Sequence, residues 1–171
     1  LGDEFNGLHK PCIAQVHADV YAGGFLMIGG CTHVIAVESA KFGLPEVKRG
    51  IFPFQVMATL EPLMSARQLL DLCIRAKTLS AQEAKEIGIV TDIVREEDLE
   101  DTVQKLIEDI KEQSPTAIRL GLKAFQEMKS KAAEDKHKYL HAMLMQCLQS
   151  KDAAEGLLAF KEKRKANWTG N

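Results

Sequence analysis

The chain has 171 residues, 46% hydrophobic and 27% charged, with a formal net charge of −2. This is ordinary globular composition with enough length for a real core, and two domains are possible but not required. The near-neutral charge argues against nucleic acid or an anionic membrane as the main partner, and no apolar run is long enough to span a bilayer.

Taken in order, Leu1 to Lys10 is polar and reads as a loop or frayed helix end, closed by Pro11. Cys12 to Val16 is short and mostly apolar, which predicts a buried strand, and His33 to Glu38 predicts a second. Between them, Gly23 and Gly24 open a predicted buried helix against which something packs closely. Strand, helix, strand is the crossover that makes neighbouring strands parallel. Lys41 to Gly50 is a loop. Pro53 suits the first turn of the next helix, which Pro62 ends or kinks. Ser65 then caps a helix with Leu69, Leu70, Leu72 and Cys73 on one face. Ser80 and Glu83 form a capping box, Gly88 is a C′ residue, and Ile89 to Val94 is a short strand.

Beyond Arg95 the pattern is helical to the end. Leu99, Val103, Leu106, Ile107 and Ile110 recur at three- and four-residue steps, and Ser114-Pro115 starts the next helix, whose apolar positions are Ile118, Leu122, Phe125 and Met128. Tyr139 to Leu148 is apolar on more than one side, as in a helix buried against two partners, one of which can be another subunit. Asp152 is the expected cap of a last helix reaching Trp168. The expected division is therefore an α/β part over 1–94 and an all-helical part over 95–171. Cys12, Cys31, Cys73 and Cys147 show no CxxC spacing. That predicts buried free thiols and a reducing compartment, the cytoplasm or one such as the mitochondrial matrix.

The stretch Ala22–Glu46 carries the chemistry. A helix start at Gly23-Gly24 leaves backbone N–H groups unpaired, and these donors suit an oxygen that carries or develops negative charge. Glu46 closes the stretch as a carboxylate, and Phe42, Pro45, Ile51 and Phe52 around it predict partial burial. A donor pair and an acid make half of an active site. Other features have plainer readings. His17, His33, His137 and His141 lack metal-ligand spacing and read as surface histidines. The methionines read as core or pocket fillers. Lys161, Lys163, Arg164 and Lys165 suit a helix C-terminus.

Four segments together resemble the crotonase superfamily of enoyl-CoA hydratases and isomerases: KPCIAQVHADVYAGGFL, AKFGLPEVKRGIFP, SAQEAKEIGIVTDIV and GLLAFKEKRKANW, in the family's order. The resemblance runs from about Lys10 to the end. It implies an α/β crotonase-like ββα spiral, of which this chain is the C-terminal part, followed by a helical trimerisation region that also contacts CoA. The corresponding assembly is a homo-oligomer, a trimer or dimer of trimers. No cofactor is implied, since coenzyme A is part of the substrate.

The resemblance also implies an oxyanion hole of two N–H groups on the thioester carbonyl. Gly23 matches the middle of the family's glycine triplet and is one donor. The other lies on a loop that the family places before the position of Leu1. The expectation is that the native protein has more sequence upstream, or that this chain is inactive, because one oxyanion donor is worth on the order of 3 kcal/mol. Family hydratases use two glutamates. Glu46 matches the second, whereas Leu26 occupies the position of the first. Family isomerases that move a double bond also carry leucine there, which favours isomerisation with Glu46 as the single base. Hydration, and a non-catalytic acyl-CoA-binding or scaffold role, remain the alternatives. Phe52 and Phe54 suit an acyl pocket, and Phe160 and Lys163 match positions near the CoA nucleotide.

Overall fold

A computed structural model describes residues 2–171. Two compact units divide the chain: Pro11–Lys105 joined by residues 2–5, and Leu106–Asn171 joined by Asn6–Lys10. A short helix α1 (Gly2–Gly7) opens the described chain.

In the first unit the expected crossover forms. Strand β1 (Ile13–Val16), helix α2 (Phe25–Ile28) and strand β3 (His33–Val37) follow one another, with β2 (Val20–Tyr21) between β1 and α2. β1 and β3 pair in parallel with Ile13 opposite His33. β6 (Asp92–Val94) pairs on the other side of β3, Ile35 opposite Asp92, also in parallel. Val34 to Val37 are all buried, as the central strand of a parallel sheet requires, so the run is continuously apolar. β6 is shorter than expected. Ile89 and Val90 are buried ahead of it, their N–H groups turned to the Ala84 carbonyl and not into the sheet.

A second sheet escaped the sequence reading because its strands are only two or three residues long. β2 pairs in parallel with β4 (Lys41–Gly43), and β4 pairs antiparallel with β5 (Thr78–Ser80). Phe42 on β4 meets Phe25 on α2 edge-to-face at 6.4 Å, and both are fully buried. Helix α3 (Phe54–Leu60) starts after Pro53, which stands at its cap and not inside its first turn, and it gives way to a 3-10 turn at Glu61–Leu63 containing Pro62. Ser65 caps α4 (Ala66–Arg75) through a box with Gln68, and Ser80 caps α5 (Ala81–Glu86) through a box with Glu83. Gly88 takes φ +89° just beyond α5, the left-handed conformation expected of C′. On α4, Leu69, Leu72 and Cys73 are buried, but Leu70 is 45% exposed. Its step of one from Leu69 rotates it about 100° off the core face.

Helix α6 (Leu99–Lys111) buries Leu99 and Val103. In the second unit, Ser114 caps α7 (Pro115–Glu127) with Pro115 at its first position, and α8 (Ala133–Leu148) and α9 (Lys151–Glu162) follow. Three expectations change here. The cap of α9 is Ser150, not Asp152. The last helix stops at Glu162, where Lys163 turns to φ +55°. None of the α8 side chains is buried within the chain, so the two-sided apolar pattern faces outward.

Asp152 instead ties the unit together. Only 1% exposed, it accepts from the Thr169 N–H at 2.8 Å, the Thr169 hydroxyl at 3.1 Å, the Gly170 N–H at 3.1 Å and the Ser114 hydroxyl at 3.0 Å. The start of α7, the start of α9 and the tail meet on one carboxylate. Burial pushes that carboxyl up, but the hydrogen bonds from Thr169, Ser114 and Gly170 outweigh it and hold it well below the usual carboxylate range. Trp168 anchors the tail, donating to the Glu112 carbonyl at 2.7 Å with its ring over Gly156.

Candidate active site

The parallel pairing of β2 with β4 sets the site. Tyr21 stands opposite Gly43, and strands so paired run about 4.8 Å apart. The chain leaves both strands at the same end of the sheet. Ala22–Gly24 departs from β2 as a 3-10 turn that runs on into α2, and Glu46–Arg49 follows β4 by way of Leu44 and Pro45 as another. Gly23 and Glu46 therefore share one edge, outside the carboxyl ends of parallel strands, where α/β proteins place their ligands. Gly43 suits this pairing, since a Cβ there would lie 3.0 Å from the Tyr21 ring and 3.3 Å from the Lys77 carbonyl oxygen, contacts to which the neighbours would have to yield.

The expected helix at Gly23-Gly24 is a short run of Ala22–Ile28, and the expected close packing is not at Gly23. A Cβ at Gly23 would meet nothing within 4 Å, and Gly24 would touch only Val20, at 3.1 Å. The crowded glycines are the next pair. A Cβ on Gly29 would lie 2.6 Å from Thr59, and one on Gly30 would lie 2.5 Å from the Phe5 ring. Gly23 is exposed, and at the start of a helical run its N–H has no intrahelical partner. Ala22, just before it, is held at φ +51°, a conformation that costs a non-glycine residue about 1 kcal/mol and that tends to collect at functional sites. Leu26 lies one turn beyond Gly23 and is half-buried, at the outer side of the fully buried Phe25.

Glu46 is half-buried, and its Oε2 is enclosed without a hydrogen-bond partner among the described residues. Its neighbour is Cys73 on α4, whose thiol is pushed up first by burial and then by the Glu46 charge. Gly50, at φ +74°, ends the turn, and the Ile51 N–H closes back on the Glu46 carbonyl at 3.2 Å. Phe52 and Phe54 follow with ring centroids 5.3 Å apart, and Phe54 is 66% exposed. An oxygen acceptor without a partner, beside an apolar wall, is equipped to take and return a proton.

The first unit thus contains Gly23, Leu26, Glu46, Phe52 and Phe54. Phe160 and Lys163 belong to the second unit, where Phe160 is 87% exposed on α9 and Lys163 forms its left-handed C-cap. Of the basic cluster, Arg164 is committed to Glu155 at 2.6 Å and Glu162 at 2.7 Å, and Lys165 to Glu112 at 3.0 Å. The sequence reading missed the strained Ala22 and the apposition of Cys73 to Glu46. Neither leaves a local signal, because one is a backbone angle and the other joins residues 27 positions apart.

The chain matches the model of the family described as enoyl-CoA hydratase/isomerase over residues 3–171. It belongs to that family. A carnitinyl-CoA dehydratase of Salmonella paratyphi A is 30% identical over 98% of this chain and 66% of its own length. The crystal structure of an enoyl-CoA hydratase from Bacillus anthracis superposes with a TM-score of 0.93 at 30% identity, covering 99% of this chain and 66% of that one. Human enoyl-CoA hydratase domain-containing protein 3 shares the fold, with a TM-score of 0.92 at 23% identity over 98% of this chain and 66% of that one. The chain therefore spans 66% of the length of these relatives. Its α/β part and helical region are those of a crotonase-fold member of an acyl-CoA-processing enzyme family. Among the described residues, no helix is long and apolar enough to cross a membrane.

Proposed function

We propose that Gly23 and Glu46 of this chain belong to the catalytic centre of an enoyl-CoA isomerase. The observation that supports it most is the in-register β2–β4 pair, which delivers the unpaired Gly23 N–H and the partnerless Glu46 oxygen to one edge. In this reading the Gly23 N–H donates to the thioester carbonyl and stabilises the negative charge that builds on its oxygen as a proton leaves C2. Glu46 takes that proton and returns it at C4, so a 3-enoyl thioester becomes the conjugated 2-enoyl isomer with no net gain or loss of atoms. Leu26 lines the site as a dry wall where a hydratase of the family places a second carboxylate. No cofactor takes part beyond the CoA of the substrate.

Phe160 and Lys163 on α9 are assigned to the CoA nucleotide, where a cation complements phosphate. The outward apolar face of α8 is assigned to self-association as a trimer or a dimer of trimers.

Hydration is the second reading, favoured by the name of the Salmonella relative, a dehydratase. Separate incubations with a 3-enoyl-CoA and with a 2-enoyl-CoA distinguish the two: 2-enoyl-CoA formed from the first supports isomerisation, and 3-hydroxyacyl-CoA formed from the second supports hydration. Calorimetry with acetyl-CoA identifies the third possibility, a binder without turnover. In the Glu46→Gln variant we expect the isomerisation rate to fall about 10²–10⁴-fold, the usual worth of a positioned base, with acetyl-CoA affinity unchanged. Full activity in that variant would remove Glu46 from the mechanism.

A further inference from the structure

The expectation of buried thiols fails at Cys12, Cys31 and Cys147. Cys73 alone is fully buried, whereas Cys12 and Cys31 are each partly accessible, and both line one open cavity of about 590 Å³ together with Phe5 and Met27. They lie 19 positions apart in sequence, but the β1–β3 pairing folds that interval back on itself. One step before the first paired residues, the Thr32 and His33 N–H groups donate to the Cys12 carbonyl at 2.9 and 3.1 Å. The Thr32 hydroxyl also accepts from the Cys12 N–H at 3.0 Å and donates to the Cys12 carbonyl at 2.8 Å. Thr32 is thus clamped to Cys12 from both sides, and Cys31 is its immediate neighbour. The Cys31 thiol donates to the Met27 carbonyl at 3.4 Å, and Cys12 stands near enough to help push it up.

We propose that Cys12 and Cys31 are a reactive dithiol, which low-molecular-weight disulfides convert into an intramolecular Cys12–Cys31 disulfide. Nothing in the acyl-CoA chemistry uses either residue. The order of attack follows from the environments. Burial, with Cys12 beside it, pushes the Cys31 thiol up to about 11 and disfavours its thiolate, so the first attack is assigned to Cys12. The Cys12 thiolate attacks one sulfur of RS–SR, breaking that bond, releasing RS⁻ and leaving a Cys12–SR mixed disulfide. Cys31 then loses its proton to water and attacks the Cys12 sulfur, expelling the second RS⁻. One protein disulfide forms, two RSH are produced, and the small disulfide takes up both electrons. The clamp at Thr32 holds the Cys12 backbone beside the residue that follows Cys31, so the second step is intramolecular. The product fastens the entry of β1 to the turn that follows α2.

The test incubates the folded protein with millimolar oxidised glutathione, followed by intact-mass measurement and non-reducing peptide mapping. The expected result is a loss of two hydrogen masses without a glutathionyl adduct, a fall in free thiols from four to two, and a single cross-linked pair of peptides containing Cys12 and Cys31. The Cys12→Ser and Cys31→Ser variants, checked for an unchanged circular dichroism spectrum, should each fail to lose that mass. Stable glutathionyl adducts, a link that includes Cys73 or Cys147, or four unreacted thiols in the folded protein would each overturn the proposal. None of these readouts depends on isomerase activity, so failure here and failure of the acyl-CoA reading are separately visible.

Discussion

At the scale of single residues, the two glycines that flank the site answer to different constraints. At Gly43 a Cβ would be tight against the Tyr21 ring and the Lys77 carbonyl oxygen, at 3.0 and 3.3 Å. Gly43→Ala should therefore destabilise by about 1–3 kcal/mol, as overpacking does, and lower the urea midpoint. Gly23 has open space around it, so Gly23→Ala should leave stability within about 1 kcal/mol of the parent. If Gly23→Ala proved as damaging as Gly43→Ala, the glycine would be a packing residue and its reading as an oxyanion donor would lose its main support. Both positions are legible in the sequence as glycines near a turn. What distinguishes them is the Tyr21 side chain, which the register of β2 against β4 brings over Gly43.

At the scale of elements, Asp152 does more than begin a helix. One carboxylate gathers the start of α7, the start of α9 and the tail through Ser114, Thr169 and Gly170. Because its folded-state pKa lies below that of the unfolded chain, its contribution is fully present above about pH 4, the unfolded carboxyl value, and is lost as pH falls through the folded value. Asp152→Asn should cost on the order of 3 kcal/mol at neutral pH, since several hydrogen bonds to a buried charge are weakened at once. The gap between parent and variant should narrow in urea titrations repeated progressively below pH 4. A gap that widened on acidification would mean that the carboxylate is not held in its charged form. The sequence placed Asp152 at a helix start because cap residues announce themselves locally. The partners that changed its role lie 17 to 38 positions away.

At the scale of the whole molecule, the apolar residues left uncovered decide what must come next. Leu144 on α8 is 55% exposed and lines an apolar groove with Phe125 of α7, Leu140 and Met143. Exposed apolar patches can mark contact surfaces, and the proposed self-association would use this one. On the proposed self-association, Leu144→Glu should shift the sedimentation coefficient towards smaller species and increase the concentration needed to assemble. An unchanged distribution would place the subunit contact elsewhere. The outward-facing pattern of α8 was visible as two-sided apolarity, but a helix covered by its own chain and one covered by a second copy have the same sequence signature.

By itself the sequence determined the alternation of strand and helix, the caps at Ser65, Ser80 and Ser114, and the family, because periodicity, capping chemistry and ordered motifs are local properties. It placed a division at residue 94, whereas the compact units divide after Lys105, inside α6, because Leu99 and Val103 pack with the first unit. It also offered Gly23 and Glu46 as candidates for a donor and an acid. The tertiary structure alone decided that those two leave one sheet edge side by side, that Cys73 borders Glu46, that Asp152 joins three segments, and that Cys12 meets Cys31. Each of these is a pairing between distant positions, set by strand register and side-chain packing. A single sequence does not encode register where strands are two or three residues long, since too few alternating positions exist to fix it.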